Sequence, residues 1–136
     1  MLAVAATDPG IFSLQSSGKG PGAILNARDE SVNSSANPAA RGDWVSIYAT
    51  GAGIMSPASP DGWLTSALAQ TAASVGVTIG GLPCQINYAG AAPGYVSGLL
   101  QINARIPAGV TPGPTIPVQI TIGNTSSQAA ITLAVR

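Results

Sequence analysis

"LLQINARI", Leu99 to Ile106, alternates without a break. Leu100, Ile102, Ala104 and Ile106 fall on one parity, and Leu99, Gln101, Asn103 and Arg105 on the other. A period of two is the mark of an extended strand with one buried face, because successive side chains point to opposite sides. The pattern recurs on both sides of this stretch. Val45, Ile47 and Ala49 alternate with Trp44, Ser46 and Tyr48, and Val75, Val77 and Ile79 with Ser74, Gly76 and Thr78. Ile86 and Tyr88 alternate with Gln85 and Asn87, and Val118, Ile120 and Ile122 with Gln119 and Thr121, while Ile131, Leu133 and Val135 close the chain. Six strands are therefore predicted.

Turn-forming residues separate them: Gly51 and Gly53, Pro57 to Gly62, Gly80-Gly81, Gly90 to Gly94, Pro107 to Pro117 and Gly123-Asn124. Strands at this spacing, with no helical pattern between them, predict an all-β fold, an immunoglobulin-like antiparallel β-sandwich. The one segment that could be helical, "WLTSALAQTAA" from Trp63 to Ala73, reads equally as a long loop. Residues 1–40 hold only two short apolar runs, Ile11 to Leu14 and Ala23 to Leu25. They are read as an N-terminal extension that adds strands or a flap to a sandwich spanning residues 41–136.

Composition narrows the function. The 136 residues carry five Lys+Arg and five Asp+Glu, a net charge of zero, and only 7% of them are charged. Nothing here could neutralise a row of phosphates, so neither nucleic acid nor an anionic membrane is an expected partner. With 17 Gly and 11 Pro, no apolar run reaches membrane-spanning length. Cys84 is the one cysteine and histidine is absent, which excludes an internal disulfide and Ser-His or Cys-His catalysis. The start, "MLAVAATDPG", lacks a basic n-region and a long apolar h-region, so no signal peptide is read in the chain as given. Low charge and richness in Ser, Thr, Asn, Gly and Pro nevertheless read as a secreted domain, with Met1 as the point where a piece was cut from a longer exported protein.

Three longer stretches carry a resemblance: "GDWVSIYATGAG" (Gly42 to Gly53), "VTIGGLPCQINYAGAAPGYVSGLLQINARIPAG" (Val77 to Gly109) and "PVQITIGNTSSQAAITLAV" (Pro117 to Val135). With the upstream "DPGIF", "GAILN" and "SVNSSANPAARGD", they resemble a C-terminal immunoglobulin-like domain found as many paralogues in large exported proteins of soil acidobacteria. A strand, then "TGAG", then a strand ending in "GG" is also similar to modules of the IPT/TIG kind. The resemblance covers nearly the whole chain. It implies a β-sandwich outside the cell and carries over no catalytic residue. One departure is visible: the family's Asp-Gly turn before "SVN" is Asp29-Glu30 here, which disfavours a tight type I′ turn.

Candidate sites were weighed against plainer readings. Asn26, Asp29, Glu30 and Asn33 could offer oxygens to Ca²⁺, but their spacing matches no Ca²⁺ loop, and a solvated hairpin turn is the simpler reading. "RGD", Arg41 to Asp43, reads as the start of a strand, and the sequons at Asn33 and Asn124 as turns. Cys84 reads as a small apolar side chain. Trp44, Ser46 and Tyr48 share one strand face and would suit stacking of sugar rings, although cover by the N-terminal extension would make them a second small core. Gln101 and Asn103 fall side by side and are read as structural amides that hold the backbone of the nearby "AGAAPG" loop.

The sequence thus reads as a non-catalytic extracellular module with no cofactor, structural or adhesive in role and the terminal unit of a larger secreted or surface protein. Its expected partners are neighbouring domains or copies of itself, joined by strand addition through "AVAATDP" and "ITLAV". The alternative is a carbohydrate-binding accessory module, with polysaccharide as the partner.

Overall fold

The computed structural model of the chain describes residues 9–51, 55–56, 70–71, 74–92 and 99–136. They form two sheets packed face to face. Numbered along the chain, the strands are β1 (Gly10–Ile11), β2 (Gly20–Pro21), β3 (Ile24–Asn26), β4 (Ser31–Val32), β5 (Trp44–Thr50), β6 (Met55–Ser56) and β7 (Gln70–Thr71). They continue as β8 (Val75–Ile79), β9 (Leu82–Pro83), β10 (Gln85–Ala91), β11 (Leu100–Arg105), β12 (Gly113–Ile122), β13 (Thr125–Ser126) and β14 (Ile131–Val135). The larger sheet runs β4-β3-β5-β11-β10-β7-β6 with β1 also paired to β5, and the smaller runs β2-β14-β12-β8-β9 with β13 on β12. All pairings are antiparallel except β2 with β14. The fold is the expected all-β sandwich, and the described residues contain no helix.

Alternation decides which residues meet between the sheets. Val45, Ile47 and Ala49 of β5 and Leu100, Ile102 and Ala104 of β11 are fully buried, with Ile24 of β3 beside them. From the other sheet Val77, Ile79, Val118, Ile120, Ile122, Ile131 and Leu133 close onto them. Each Val, Leu or Ile among them contributes about 1.5–3 kcal/mol by leaving water. The core is aliphatic: no aromatic residue is among the buried side chains described.

The six predicted strands are all present, and three details depart from the sequence pattern. The β10–β11 register shifts between Ile86 and Tyr88, a bulge that leaves Asn87 without an opposite residue. Ile86 therefore points to the core, whereas Tyr88 turns to the outer face opposite Asn103, contrary to the simple alternation. Strand β12 begins at Gly113, inside the stretch read as a turn. Its first part pairs with β14 and its second with β8, and Pro114, Pro117 and an irregular register occupy the early part. The segment Trp63–Ala73 lies outside the described residues except for Gln70–Thr71, which are strand and not helix.

Turn chemistry follows the residues. Gly80 and Gly81 have φ of 61° and 80°, the paired positive values of a type I′ turn joining β8 to β9. Asp29-Glu30 forms a longer turn instead: four residues separate the paired Asn26 and Ser31, Asn26 O accepts from Glu30 N at 2.8 Å, and Glu30 takes a left-handed φ of 58°.

Within residues 9–40, the pairings extend the sheets at their edges. Strands β1 and β3 add edge-on to β5, continuing its sheet sideways, while β2 crosses to β14. Gly22 sits at the crossing, where an added Cβ would come within 2.9 Å of Ile131 Cγ2.

This crossing also corrects the expected strand addition through "ITLAV". One edge of β14 pairs with β12. On the other, Gly20 N and Gly22 N donate to Ala130 O and Thr132 O, Ala39 N donates to Ala134 O, and Arg136 N donates to Ala39 O. The Asn33 side chain fills the gap, its Oδ1 accepting from Ala134 N at 2.7 Å and its Nδ2 donating to Ala134 O at 2.9 Å. Both edges of β14 are occupied by the chain itself. The other proposed end, "AVAATDP", lies outside the described residues apart from Pro9.

Candidate functional site

Because β5 buries Val45, Ile47 and Ala49, its other parity, Trp44, Ser46 and Tyr48, stands on the outer face of the larger sheet, each partly exposed. Cross-strand register builds the rest of the face. Tyr48 lies opposite Gln101, Ser46 opposite Asn103, and Trp44 opposite Arg105, while Tyr88 follows Asn103 on β10 and Gln85 follows Arg105. On the other side of β5, Leu25 lies opposite Ser46, and Phe12 N donates to Tyr48 O at 3.1 Å, so Phe12 continues the same outward row. Phe12 is 44% exposed and Val32, beyond Leu25, is 48% exposed. Trp44 and Tyr48 are about 13 Å apart along the strand, and Tyr88, two strand spacings across and two residues along from Tyr48, is about 12 Å from it.

Every aromatic residue whose side chain is described, Phe12, Trp44, Tyr48 and Tyr88, therefore belongs to this one face. Residues 9–40 add beside β5, and Trp44 and Tyr48 are partly exposed.

The middle of the face is polar. Asn103 Oδ1 accepts two hydrogen bonds, from Ser46 Oγ at 2.9 Å and from Gln101 Nε2 at 3.0 Å. With its carbonyl fixed, Asn103 presents its Nδ2 donors and Gln101 its Oε1 acceptor, neither partnered among the described residues. Among the described residues these two amides hold one another and Ser46, and Pro93–Gly94 of "AGAAPG" lie outside those residues. The Tyr88 hydroxyl donates to Ala91 O, at the end of β10, at 2.6 Å. Desolvation of Tyr88 raises its phenol pKa, which keeps this donor protonated.

The candidate cation ligands do not converge. Asn26 and Asn33 are buried, and Asn26 Oδ1 accepts from Asn33 Nδ2 at 3.0 Å while Asn26 Nδ2 donates to Asn37 O. Asp29 is on the exposed turn, where its Oδ1 accepts from Ser31 Oγ at 2.5 Å and from Ser31 N. These bonds to the ionised form lower its pKa. Asn26 Oδ1 is engaged by Asn33, Asn33 Oδ1 by Ala134 N of β14 and Asp29 Oδ1 by Ser31, and Glu30 stands exposed on the turn. In the Arg-Gly-Asp stretch, Gly42 N donates to Ile106 O and Asp43 N to Ala40 O, which ties the backbone into the start of β5. Cys84 is half-buried against the core, and desolvation pushes its thiol up to about 11.

At one end of the face, Gln85, Arg105 and Gly42 line a groove of about 360 Å³ with Pro83, Ile106 and Pro107. Phe12, Tyr88 and Gln85 are contributions to the face that the sequence reading did not place there, and Arg105 was put on the outward parity with Gln101 and Asn103 but not singled out. Phe12 follows a two-residue strand too short to show a period, and the bulge hides the facing of Tyr88. Gln85 has the parity of Asn87 in the sequence and could have been placed on an outer face. Comparison with protein-family models, curated proteins and solved structures gave no significant match.

Proposed function

We propose that the chain is a non-catalytic module of an exported protein that binds polysaccharide on the outer face of its larger sheet. The carrying observation is the division of side chains: aliphatic residues fill the core while all described aromatic side chains stand outside. An aromatic ring left partly in water forgoes much of the burial energy it could supply to folding, so a face of four of them calls for a ligand. Pyranose rings have apolar C–H faces and hydroxyl edges. Rings such as Trp44 and Tyr48 suit the first, and a fixed donor and acceptor such as Asn103 Nδ2 and Gln101 Oε1 suit the second. A histidine-free chain without a cofactor motif fits binding better than turnover.

The test is retention of the purified chain on insoluble polysaccharides and retardation in gels containing soluble ones, for wild type, Trp44→Ala and Tyr48→Ala. Wild type is expected to be retained, and each variant to lose retention with its melting temperature within a few degrees of wild type. Equal retention of all three, or of none, overturns the reading.

A further inference from the structure

The groove at the end of the aromatic face has a chemistry of its own. Arg105 ends β11, flanked in register by Trp44 on β5 and Gln85 on β10, so an indole, a guanidinium and an amide form one row. Residues opposite each other in an antiparallel pair have Cβ atoms about 4.5–5.5 Å apart, close enough to share one ligand unit. Arg105 Nε donates to Gly42 O at 2.9 Å. That bond fixes one edge of the planar guanidinium and leaves both terminal nitrogens without a partner among the described residues; no described carboxylate pairs with them. A fork of this kind, held by its Nε, matches the two oxygens of a carboxylate.

The groove beside it, about 360 Å³, lies at the small end of the range for small-ligand sites. Its other polar side chain is the amide of Gln85, and its walls are Pro83, Ile106 and Pro107. A neutral sugar would leave Arg105, the charged residue among the described lining residues, to water.

Resting on the polysaccharide reading above, we infer that Arg105 makes this groove a subsite for a carboxylate-bearing sugar, a uronate unit of an acidic polysaccharide. Trp44 takes the ring face, Arg105 the carboxylate and Gln85 a ring hydroxyl. Because Arg105 is exposed and the chain has no net charge, the preference is local and falls steeply with salt.

The experiment compares polygalacturonate with a neutral soluble glucan in gel retardation and calorimetry, at low salt and at high salt, for wild type, Arg105→Gln, Arg105→Lys and Trp44→Ala. Wild type is expected to bind the polyuronate about tenfold more tightly than the neutral polymer at low salt, a charge-assisted gain that high salt removes. Arg105→Gln should bring polyuronate affinity down to that for the neutral polymer, and Arg105→Lys should retain part of the preference. Equal affinity for the two polymers in wild type, or a preference that survives Arg105→Gln, overturns the uronate subsite. If neutral binding still depends on Trp44 in that case, the polysaccharide reading stands alone. If neither polymer binds, both fall.

Discussion

At the scale of single residues, Glu30 and Cys84 each hold a side chain in a setting that costs it something. Glu30 sits in the left-handed region at φ 58° with its side chain exposed. That conformation costs a residue with a Cβ about 1–2 kcal/mol, against which glycine's extra unfolded-state freedom removes about 0.4–1 kcal/mol of any gain. Glu30→Gly should therefore raise stability by about 0.5–1 kcal/mol, seen as a higher urea midpoint at unchanged slope. A lower midpoint would mean that the Glu30 side chain contributes more than its backbone costs. Cys84 is the second position. Desolvation favours its neutral form in the fold, so its stabilising effect is full below the unfolded pKa of about 8.5 and is lost as pH rises toward the folded value of about 11. Between about pH 8.5 and 10, below the range where the raised Tyr88 phenol ionises, wild type should lose stability relative to Cys84→Ala. A constant difference across that window would show a thiol without linkage to folding.

Among elements, the strands with a clean period of two were legible and those defined by pairing alone were not. Leu100–Arg105 and Trp44–Thr50 could be read because one whole parity is apolar. Gly10–Ile11 and Gly20–Pro21 could not, because two residues have no period and exist as strands only through the partner they meet. Amides posed a similar problem. The role of fixing backbone belongs to Asn33, clamped on Ala134, and to Gln128, whose Oε1 accepts from Ile11 N at 3.1 Å and whose Nε2 donates to Ile11 O at 2.8 Å. Each supplies the donor and acceptor of an absent strand residue, from 101 and 117 positions away in sequence. No local pattern encodes contacts of that range. Removing Asn33 leaves the buried N–H of Ala134 unanswered and its C=O with only the bond from Ala39 N, so Asn33→Ala should cost about 1–3 kcal/mol in urea unfolding. Asn124→Ala, at an exposed turn of the second sequon, should change stability by less than about 0.5 kcal/mol. Equal costs at the two positions would remove the clamp from the account of how β14 is closed.

For the whole molecule, the fold was legible because its core is a matter of parity, whereas the candidate site depended on where a sheet face ends up. Trp44 and Tyr48 were placed on one face by the sequence, but that residues 9–40 widen the sheet beside that face follows only from their pairing with β5. Their pairing beside β5 gives the larger sheet two faces with different duties, an inner one of Ile47 and Ile102 and an outer one of Tyr48 and Gln101. If the duties are separate, so should be the consequences of mutation. Ile102 is fully buried at the centre of the core, and Ile102→Ala should cost about 2–5 kcal/mol from lost transfer energy and the cavity left behind. Tyr48→Ala, on the partly exposed face one register position away, should cost about 1 kcal/mol or less. At a temperature where both variants are folded, polysaccharide binding should show the reverse order, nearly intact in Ile102→Ala and lost in Tyr48→Ala. Parallel losses of stability and binding in both variants would mean that the two faces act as one unit, and that the aromatics belong to the structure of the sheet more than to any ligand.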